Sequence, residues 1–499
     1  MKSEDLRNIK KVSKEKRKKV LLVNCARPTY MTGLMPHVGL GVLSGILTKR
    51  GHEVLVVDYL LSEDAPSIAH FINNFKPDII GFSAYSWSME KVKEKISEAR
   101  KVLDKIPIII GGPHASMIPQ DLLNDKRIDY IVLREGELVI IDLVENGKRQ
   151  KAPKIIEAKE FVNLNDVPLP NYKTFYKWES VTSYPIYTSK GCPYNCSYCS
   201  ADVLGKRIWR KKSPEKCIQE LKEAKKIFKK DFRVFVIDDE PMIDKKNFIE
   251  FLKLYLKSKL GMRLDVYNVR ADNVTEELLI LLKKCGSTSF SIAVEHVDKE
   301  VMDLVNKRES LEDIEKAIRL VKKHGFRLIL FFIIGLPADS YEKTKKSIKF
   351  AQKFNPHEVV WNIYRYTGPN RAMEWFEKNG TVDKLLYTKS ILKKRNFYPD
   401  AYPATEYPGF KKNEIIKAYY MAMMRTYPVN MRLRDAFEVF RIAKKYNLYW
   451  DFFYWLPRGF LRALSEQAHL FKVGARNLRK EGFINTGKKL IYLTHVGRL

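Results

Sequence analysis

From residue 19 onward, short apolar runs alternate with amphipathic segments of helical length. Lys19–Asn24 (KVLLVN), Glu53–Asp58 (EVLVVD), Asp78–Ser83, Pro107–Gly111 and Asp129–Leu133 are strand-sized and almost wholly apolar. Gly39–Arg50, Ile68–Asn74 and Met89–Leu103 between them carry the helical period. Strands without polar alternation are buried on both faces, so residues 20–146 are expected to form a doubly wound, Rossmann-like parallel sheet. Ligands of such sheets sit beyond the carboxyl ends of the strands, which places the loops at 26–35, 83–88, 111–115 and 134–137 around one mouth. A second series follows at Pro185–Thr188, Arg233–Ile237, Asp265–Val269, Ser289–Val294, Leu328–Ile334 and Val359–Tyr364. Six such βα units predict a (β/α)6 partial TIM barrel over 186–400, with its chemistry at the C-terminal strand ends. Residues 147–185 are Lys-rich and then extended by the prolines of Val167-Pro-Leu-Pro-Asn171, and read as a linker. Residues 401–499 are mainly helical in pattern and rich in aromatics. The fold class is α/β.

Composition narrows the compartment and the partners. The chain has 499 residues, about three domains' worth, and 45% hydrophobic residues exclude a wholly disordered polymer. Six cysteines are too few for a disulfide scaffold, and three of them lie within eight residues, which points to metal or cluster ligation in a reducing compartment. No uncharged apolar stretch reaches the length of a bilayer span, and the charged N-terminus has no apolar core like that of a secretory signal. A cytoplasmic protein is expected. Lys and Arg number 90 against 59 acids, a net of +31. Residues 1–19, read as a basic arm, hold nine cations against three acids, and residues 401–499 hold eighteen against seven. Such charge suits a solvated surface, a nucleic acid or an anionic membrane. Leu448–Phe471 adds eight aromatics in 24 residues, beside Arg458, Arg462, Lys472, Arg476, Arg479 and Lys480. Aromatics flanked by cations form an interfacial pattern, and a helix packed over the barrel mouth would use the same rings. Peripheral contact with the inner face of the cell membrane is therefore an expectation.

The decisive stretch is Ser189-Lys-Gly-Cys192-Pro-Tyr-Asn-Cys196-Ser-Tyr-Cys199. Cys-x3-Cys-x2-Cys, in the loop after the first strand of the second series, offers three thiolates to three irons of a [4Fe–4S] cluster and leaves the fourth iron open. Zinc wants four ligands, and no fourth Cys or His lies nearby. Cys25, Cys217 and Cys285 fall in strand or helix patterns and read as packing.

With this triad the chain resembles the radical S-adenosylmethionine (radical SAM) superfamily. The resemblance implies an open iron that binds the amino and carboxylate groups of SAM. One electron then cleaves the sulfonium to a 5′-deoxyadenosyl radical, which abstracts hydrogen from an unactivated carbon. It places Tyr198 near the adenine. It sets Asp239 and Glu240, within Val236-Ile-Asp-Asp-Glu240, at the segment that binds the SAM amino group. It sets Arg270 and Glu295 at polar positions on the next two strands, and Gly335 where the adenine approaches. No catalytic residue is assigned. The first half, with Pro36-His-Val-Gly39, Lys49-Arg-Gly51, Pro77-Asp-Ile-Ile-Gly81, Gly111-Gly-Pro-His-Ala115 and Arg134-Glu-Gly-Glu137, resembles the cobalamin-binding domain that precedes many radical SAM cores. Ser83, Tyr85, Gly111, Gly112, His114, Glu135 and Glu137 are the residues this implies around cobalamin. The Asp-x-His-x-x-Gly motif that supplies a cobalt ligand elsewhere is missing, and Arg134 stands where relatives usually carry glycine.

The resemblance implies C-methylation or carbon–carbon ring closure, since relatives include class B methylases, hopanoid methylases and enzymes joining archaeal lipid chains. The expected substrate is an isoprenoid or other membrane lipid. A peptide or a soluble natural-product intermediate is the alternative. Modification of tRNA ranks lower, because methylthiotransferases carry a second cysteine triad and only Cys25 precedes residue 192 here. A reductant such as a ferredoxin or flavodoxin is implied as a partner; nucleic acid is not expected.

Overall fold

The computed structural model describes residues 1–25, 34–62, 64–228, 232–267, 269–365, 368–384, 403–426 and 436–457. β1 (Lys19–Asn24), β2 (Glu53–Asp58), β3 (Ile79–Ser83), β4 (Ile108–Gly111), β5 (Tyr130–Leu133) and β6 (Lys154–Glu157) form one sheet in the order β2-β1-β3-β4-β5-β6. Every neighbouring pair is parallel. Side chains of a strand alternate between faces, and β1 shows the consequence. Val20 and Leu22 pack with the helices Val38–Arg50 and Ile140–Asn146. Leu21 and Val23 pack with Ile68–Phe75 and Met89–Val102 on the other side. The strand order reverses at β1, so its carboxyl end and that of β3 open a crevice, as doubly wound sheets do.

β7 (Ser183–Ile186) starts the second unit, and β8 (Ser189–Lys190) and β9 (Arg210–Lys211) form an antiparallel hairpin above it. β10 (Arg233–Val236) pairs in parallel with β7 and with β11 (Leu264–Val266). β12 (Ser289–Glu295), β13 (Arg327–Ile334) and β14 (Glu358–Ile363) form the other half, also parallel. A parallel bridge from Val269 to Ile292 joins the halves into a curved six-stranded wall. All six strands coincide with the expected runs to within a few residues.

Two expectations about the chain's connections are corrected. The expected linker 147–185 is built into the fold: Lys154–Glu157 extends the first sheet in register with β5. Val162, Tyr172, Phe175 and Val181 are buried in a core continuous with Leu22 on one side and Val234 on the other. The strand was hidden because it is a sheet edge, where only one residue of Lys-Ile-Ile-Glu is even partly covered. The arm is likewise held down. Leu6 is fully buried, Lys49 Nζ donates to the Arg7 carbonyl at 2.8 Å, and Val12 N donates to the Arg50 carbonyl at 2.9 Å. Among its nine cations, the buried Leu6 anchors it, with Ile9 packed against the same core.

In the C-terminal region, Lys412–Thr426 buries nine residues, and Ala436–Tyr446 and a helix at 449–457 follow. Arg458, Arg462, Lys472, Arg476, Arg479 and Lys480 lie outside the described residues.

Candidate active site

Gly191 turns the chain out of β8 at a φ of +85°, and a Cβ there would lie 2.1 Å from the Ile208 carbonyl oxygen. The loop that follows carries Cys192, Cys196 and Cys199 as free thiols. Burial pushes the Cys192 thiol up to about 12, and the neighbouring Cys199, Asp239 and Cys196 oppose its ionisation further. Burial raises Cys196 and Cys199 as well. Thiols that disfavour one another's charge become thiolates beside a cationic centre. Among the described residues no three His, Cys, Asp or Glu side chains converge on a point suited to one metal ion. A cubane instead takes one thiolate on each of three irons, so its ligands are spread around it. The crowded, partly buried triad fits that group.

The loop is fixed from several directions. Ser197 N donates to the Val305 carbonyl at 2.9 Å, and Asn306 Nδ2 to the Asn195 carbonyl at 2.9 Å. The Arg270 guanidinium lies 3.9 Å from the centre of the Tyr194 ring, donates to both carboxylate oxygens of Asp272 at 3.1 and 2.9 Å, and reaches the Lys307 carbonyl at 3.0 Å. Arg270 thus props the cysteine loop.

The acidic run after β10 divides its labour. Asp238, fully buried, accepts from Thr188 N at 2.8 Å, Thr188 Oγ1 at 2.5 Å and Ser189 Oγ at 2.6 Å, tying the root of the cysteine loop to β10. Glu240, also buried, accepts from Met242 N at 3.0 Å and Arg270 N at 2.8 Å, and burial pushes its carboxyl up to about 7. Asp239 stands exposed at the mouth, with one oxygen accepting from Gly191 N at 3.0 Å. Of the two expected SAM contacts in this run, Asp239 faces open space and Glu240 braces two strand ends.

Glu295 ends β12 at a φ of +65°, where the pairing with β13 shifts register between Ala293 and Glu295. A bulge of this kind re-aims a side chain. Here it brings Glu295 to Tyr198, whose hydroxyl donates to Glu295 Oε1 at 3.1 Å across 97 residues of sequence. Gly335 follows β13 at a φ of +82°, its N–H donating to Asp339 Oδ2 at 2.8 Å. Ile333, Leu336 and Tyr198 share one apolar cluster, so Gly335 borders the cysteine loop. The structure therefore gathers the three cysteines, Tyr198, Asp239, Arg270, Glu295 and Gly335 at one end of the strands.

Beyond the first sheet lies an open cleft of about 160 Å³, lined by apolar residues such as Leu22, Leu40, Phe82 and Val132, and by Ser83, Gly111, Gly112, Glu135 and Glu137. Its wall is mainly apolar, with a few polar groups among the lining residues, the usual make-up of a small-molecule site. Gly112 has a φ of +91°, and a Cβ there would lie 2.9 Å from the Ala84 backbone, so the close approach requires glycine. Tyr85 lies outside this wall, hydrogen-bonded to His37 and stacked on Trp87 with ring centres 4.6 Å apart. His114 sits behind the wall, fully buried, with Nδ1 bonded to Ser86 Oγ at 3.0 Å and Nε2 to Asp121 Oδ2 at 3.2 Å. Both ring nitrogens are engaged within the domain. Arg134 has a φ of +58°, the conformation glycine adopts freely, and its Nε crosses to the Val203 carbonyl at 2.9 Å.

Two residues of this wall were not singled out from the sequence. His37 caps the helix Val38–Arg50, with Nδ1 accepting from Leu40 N at 3.1 Å. Its Nε2 is then the protonated nitrogen and donates to Ser83 Oγ at 2.9 Å and Tyr85 Oη at 3.3 Å. Burial pushes its pKa down from 6.5 to about 4, so the ring is neutral at physiological pH. Between these values the folded state binds fewer protons than the unfolded chain, so His37 contributes stability above about pH 6.5 that is lost as pH falls toward 4. Asp58, raised by burial to about 6, titrates in the same window with the opposite sign. The difference between wild type and His37→Asn isolates the histidine. Chemical denaturation from pH 7 to 4.5 should show wild type losing up to about 3 kcal/mol relative to the variant. Equal slopes would show that His37 is not held neutral. Lys190, the second residue, contacts Glu137 Oε1 at 3.2 Å and Glu135 Oε1 at 3.5 Å. Both stand inside motifs noted in the sequence, Pro36-His-Val-Gly39 and Ser189-Lys-Gly-Cys192, but their roles depend on partners distant in the chain.

Comparison with known proteins agrees with this geometry. The B12 binding domain family matches residues 29–144 and the radical SAM superfamily residues 186–351. The anaerobic magnesium-protoporphyrin IX monomethyl ester cyclase of Rubrivivax gelatinosus is 30% identical over 67% of this chain and 65% of its own. The hopanoid C-3 methylase of Methylococcus capsulatus is 24% identical over 59% of this chain and 60% of its own. The match thus spans less than two thirds of these relatives' length. Among solved structures, the cobalamin-dependent S-adenosylmethionine radical enzyme OxsB, with aqua-cobalamin and S-adenosylmethionine bound, superposes with a TM-score of 0.62 at 17% identity, over 97% of this chain and 76% of that one. The cofactors that go with this pairing of domains are a [4Fe–4S] cluster, SAM and cobalamin. A cysteine loop poised over a strand-end site, beside a cleft in a B12-binding fold, places the chain in the radical SAM superfamily, in the branch whose core follows a B12 binding domain.

Proposed function

We propose that this radical SAM enzyme works on an unactivated carbon of an apolar substrate, an isoprenoid or other membrane lipid, and that it methylates that carbon or joins it to another in ring closure. The observation that carries the substrate class is the inner wall of the barrel. Leu328, Leu330, Phe332 and Ile334 of β13 are buried in the core shared with the helix Tyr341–Phe354, so the alternate residues face inward. Of these, Phe331 and Ile333 keep solvent exposure. Phe331 lies between Ala293 and Val360 across the register, and Ile333 pairs with Asn362. An open apolar row leading toward Glu295 and Gly335 suits a hydrocarbon chain better than a peptide or a polyanion.

In this reading Cys192, Cys196 and Cys199 hold the cluster, Asp239, Tyr198 and Glu295 meet SAM, and Gly335 leaves room for its adenine. Glu240 and Arg270 fix the strand ends around them. The cleft holds cobalamin, with Ser83, Tyr85, Gly111, Gly112, Glu135 and Glu137 around it and His114 behind. The bound cofactors supply the hydrogen-abstracting radical and, for methyl transfer, the methyl group. The chain binds and orients them and shields the barrel interior from water.

The C-terminal helix supports a membrane location. Leu448, Phe452 and Trp455 are buried, whereas Trp450 is 83% exposed, Phe453 56% and Tyr449 37%. Helical spacing thus turns one aromatic face inward and leaves another in solvent, where rings at headgroup depth would sit. Among the described residues no helix is long and apolar enough to cross a membrane.

Lipid mass spectrometry of a deletion strain tests the proposal. Loss of one methylene mass from a lipid class marks methylation; gain of two hydrogens marks a lost ring closure. Unchanged lipids would overturn the lipid substrate and favour a soluble one. Trp450→Asp with Phe453→Asp should also reduce pelleting with liposomes, and undiminished pelleting would remove the helix from the membrane contact.

A further inference from the structure

The loop Arg134–Glu137 of the first domain grips the cysteine loop of the second at both ends. On the entering side, Lys190 of β8 contacts Glu137 at 3.2 Å and Glu135 at 3.5 Å. Its register partner Arg210 in β9 grips the two oxygens of Glu135 at 2.9 and 2.7 Å. On the leaving side, Arg134 Nε donates to the Val203 carbonyl at 2.9 Å, four residues past Cys199. Glu137 is 6% exposed, and the two cations match the two carboxylates in charge. Glu135 and Glu137 are largely buried, so they have few alternative partners for the two cations. Arg134 holds its position at a φ of +58°, which marks the loop as fixed by its surroundings. Glu135, Gly136, Glu137 and Lys190 are at the same time one wall of the cleft. Gly191 and Cys192 follow directly on Lys190.

We infer that Lys190 is a positioning residue that couples what fills the cleft to the geometry of the cysteine loop, so that the two cofactor sites load cooperatively. The inference rests on the proposed assignment of the cleft to cobalamin and of the triad to the cluster. A corrin seated against the 135–137 wall would settle Glu135 and Glu137, they would settle Lys190, and the first cysteine is held two residues further on. By linkage the effect runs equally in the other direction.

The test is a binding cycle on the full-length protein under anaerobic conditions. Hydroxocobalamin is titrated by absorbance into the cluster-free and the cluster-reconstituted protein. Wild type should bind cobalamin at least about fivefold more tightly with the cluster present, a typical size for coupled sites. Lys190→Gln should bring that ratio close to one while each cofactor still binds, and Lys190→Arg should restore it. If Lys190→Gln cannot hold a cluster, Arg134→Ala cuts the second tie without stranding a buried carboxylate, and it should lower the ratio in the same way. A ratio of one in wild type, or one unchanged in both Lys190→Gln and Arg134→Ala, overturns the inference. Wild type that binds no cobalamin at all overturns the assignment of the cleft itself, an outcome distinct from binding without coupling.

Discussion

Replacing any one of Cys192, Cys196 and Cys199 by alanine should abolish both the visible charge-transfer absorption of the reconstituted protein and its cleavage of SAM. In the proposed assignment each thiolate would serve a different iron, so the loss of one would leave two irons open with no nearby cysteine to substitute. Among the described cysteines the alternatives are unhelpful, since Cys25, Cys217 and Cys285 are buried in the cores. Alanine at Cys217 or Cys285 should therefore leave iron content and SAM cleavage intact. Far-ultraviolet circular dichroism should show the triad variants folded, because the loop is fastened by Ser197, Asn195 and Tyr194 rather than by the thiols. Iron and sulfide analysis beside anaerobic SAM cleavage decides the matter. A triad variant that keeps a full cluster and cleaves SAM would overturn the assignment.

Gly191→Ala should be almost as damaging, although it removes no ligand. The residue needs a left-handed backbone, which costs a residue with a Cβ about 1–2 kcal/mol. That is the smaller part. The added carbon would lie 2.1 Å from the Ile208 carbonyl oxygen, 3.0 Å from its carbon and 3.4 Å from the Trp209 Cα. These are backbone atoms of the strand-side return toward β9 and have no rotamer by which to move aside. The hairpin must open, and opening it separates Lys190 from Arg210 and swings Cys192 away from Cys196 and Cys199. The expected outcome is a stable protein, since both cores lie elsewhere, with clearly lower cluster occupancy after reconstitution, because a displacement energy above about 1.4 kcal/mol weakens the hold on the cluster at least tenfold. Gly205→Ala, at a glycine whose nearest atom beyond its own helix is 3.9 Å away, is the control. Equal iron content in the two variants would show that the turn tolerates a side chain.

The assignment of roles around SAM changes most when the fold is known. Arg270 and Glu240 have the identity and order expected of ligands, yet both spend their polar atoms on the scaffold. Arg270 holds Asp272 and the Lys307 carbonyl, and Glu240 holds two backbone amides. Asp239, one residue away, is left facing the mouth in the bend that follows the end of β10.

What the sequence determined by itself was whatever depends on neighbours in the chain. An apolar run such as Val20-Leu-Leu-Val23 has to be buried on both faces wherever it goes, so every strand of the first sheet except its edge strand β6, the six strands of the second unit and their parallel architecture were legible. The cysteine triad was legible because its spacing lies within eight residues and needs no fold to be recognised. Tertiary structure alone decided the rest. Lys154–Glu157 reads as a solvated segment until the edge of β5 offers it backbone partners. Leu6 is an apolar residue in a charged arm until a pocket in the first domain takes it. His37 becomes a neutral donor only beside Ser83 and Tyr85, 46 and 48 residues away. Lys190 finds Glu135 and Glu137 across more than 50. Backbone pattern is a local property, set by what each segment must hide from water. The partner of a buried polar side chain is chosen by which distant groups packing delivers to it, and no local pattern carries that choice.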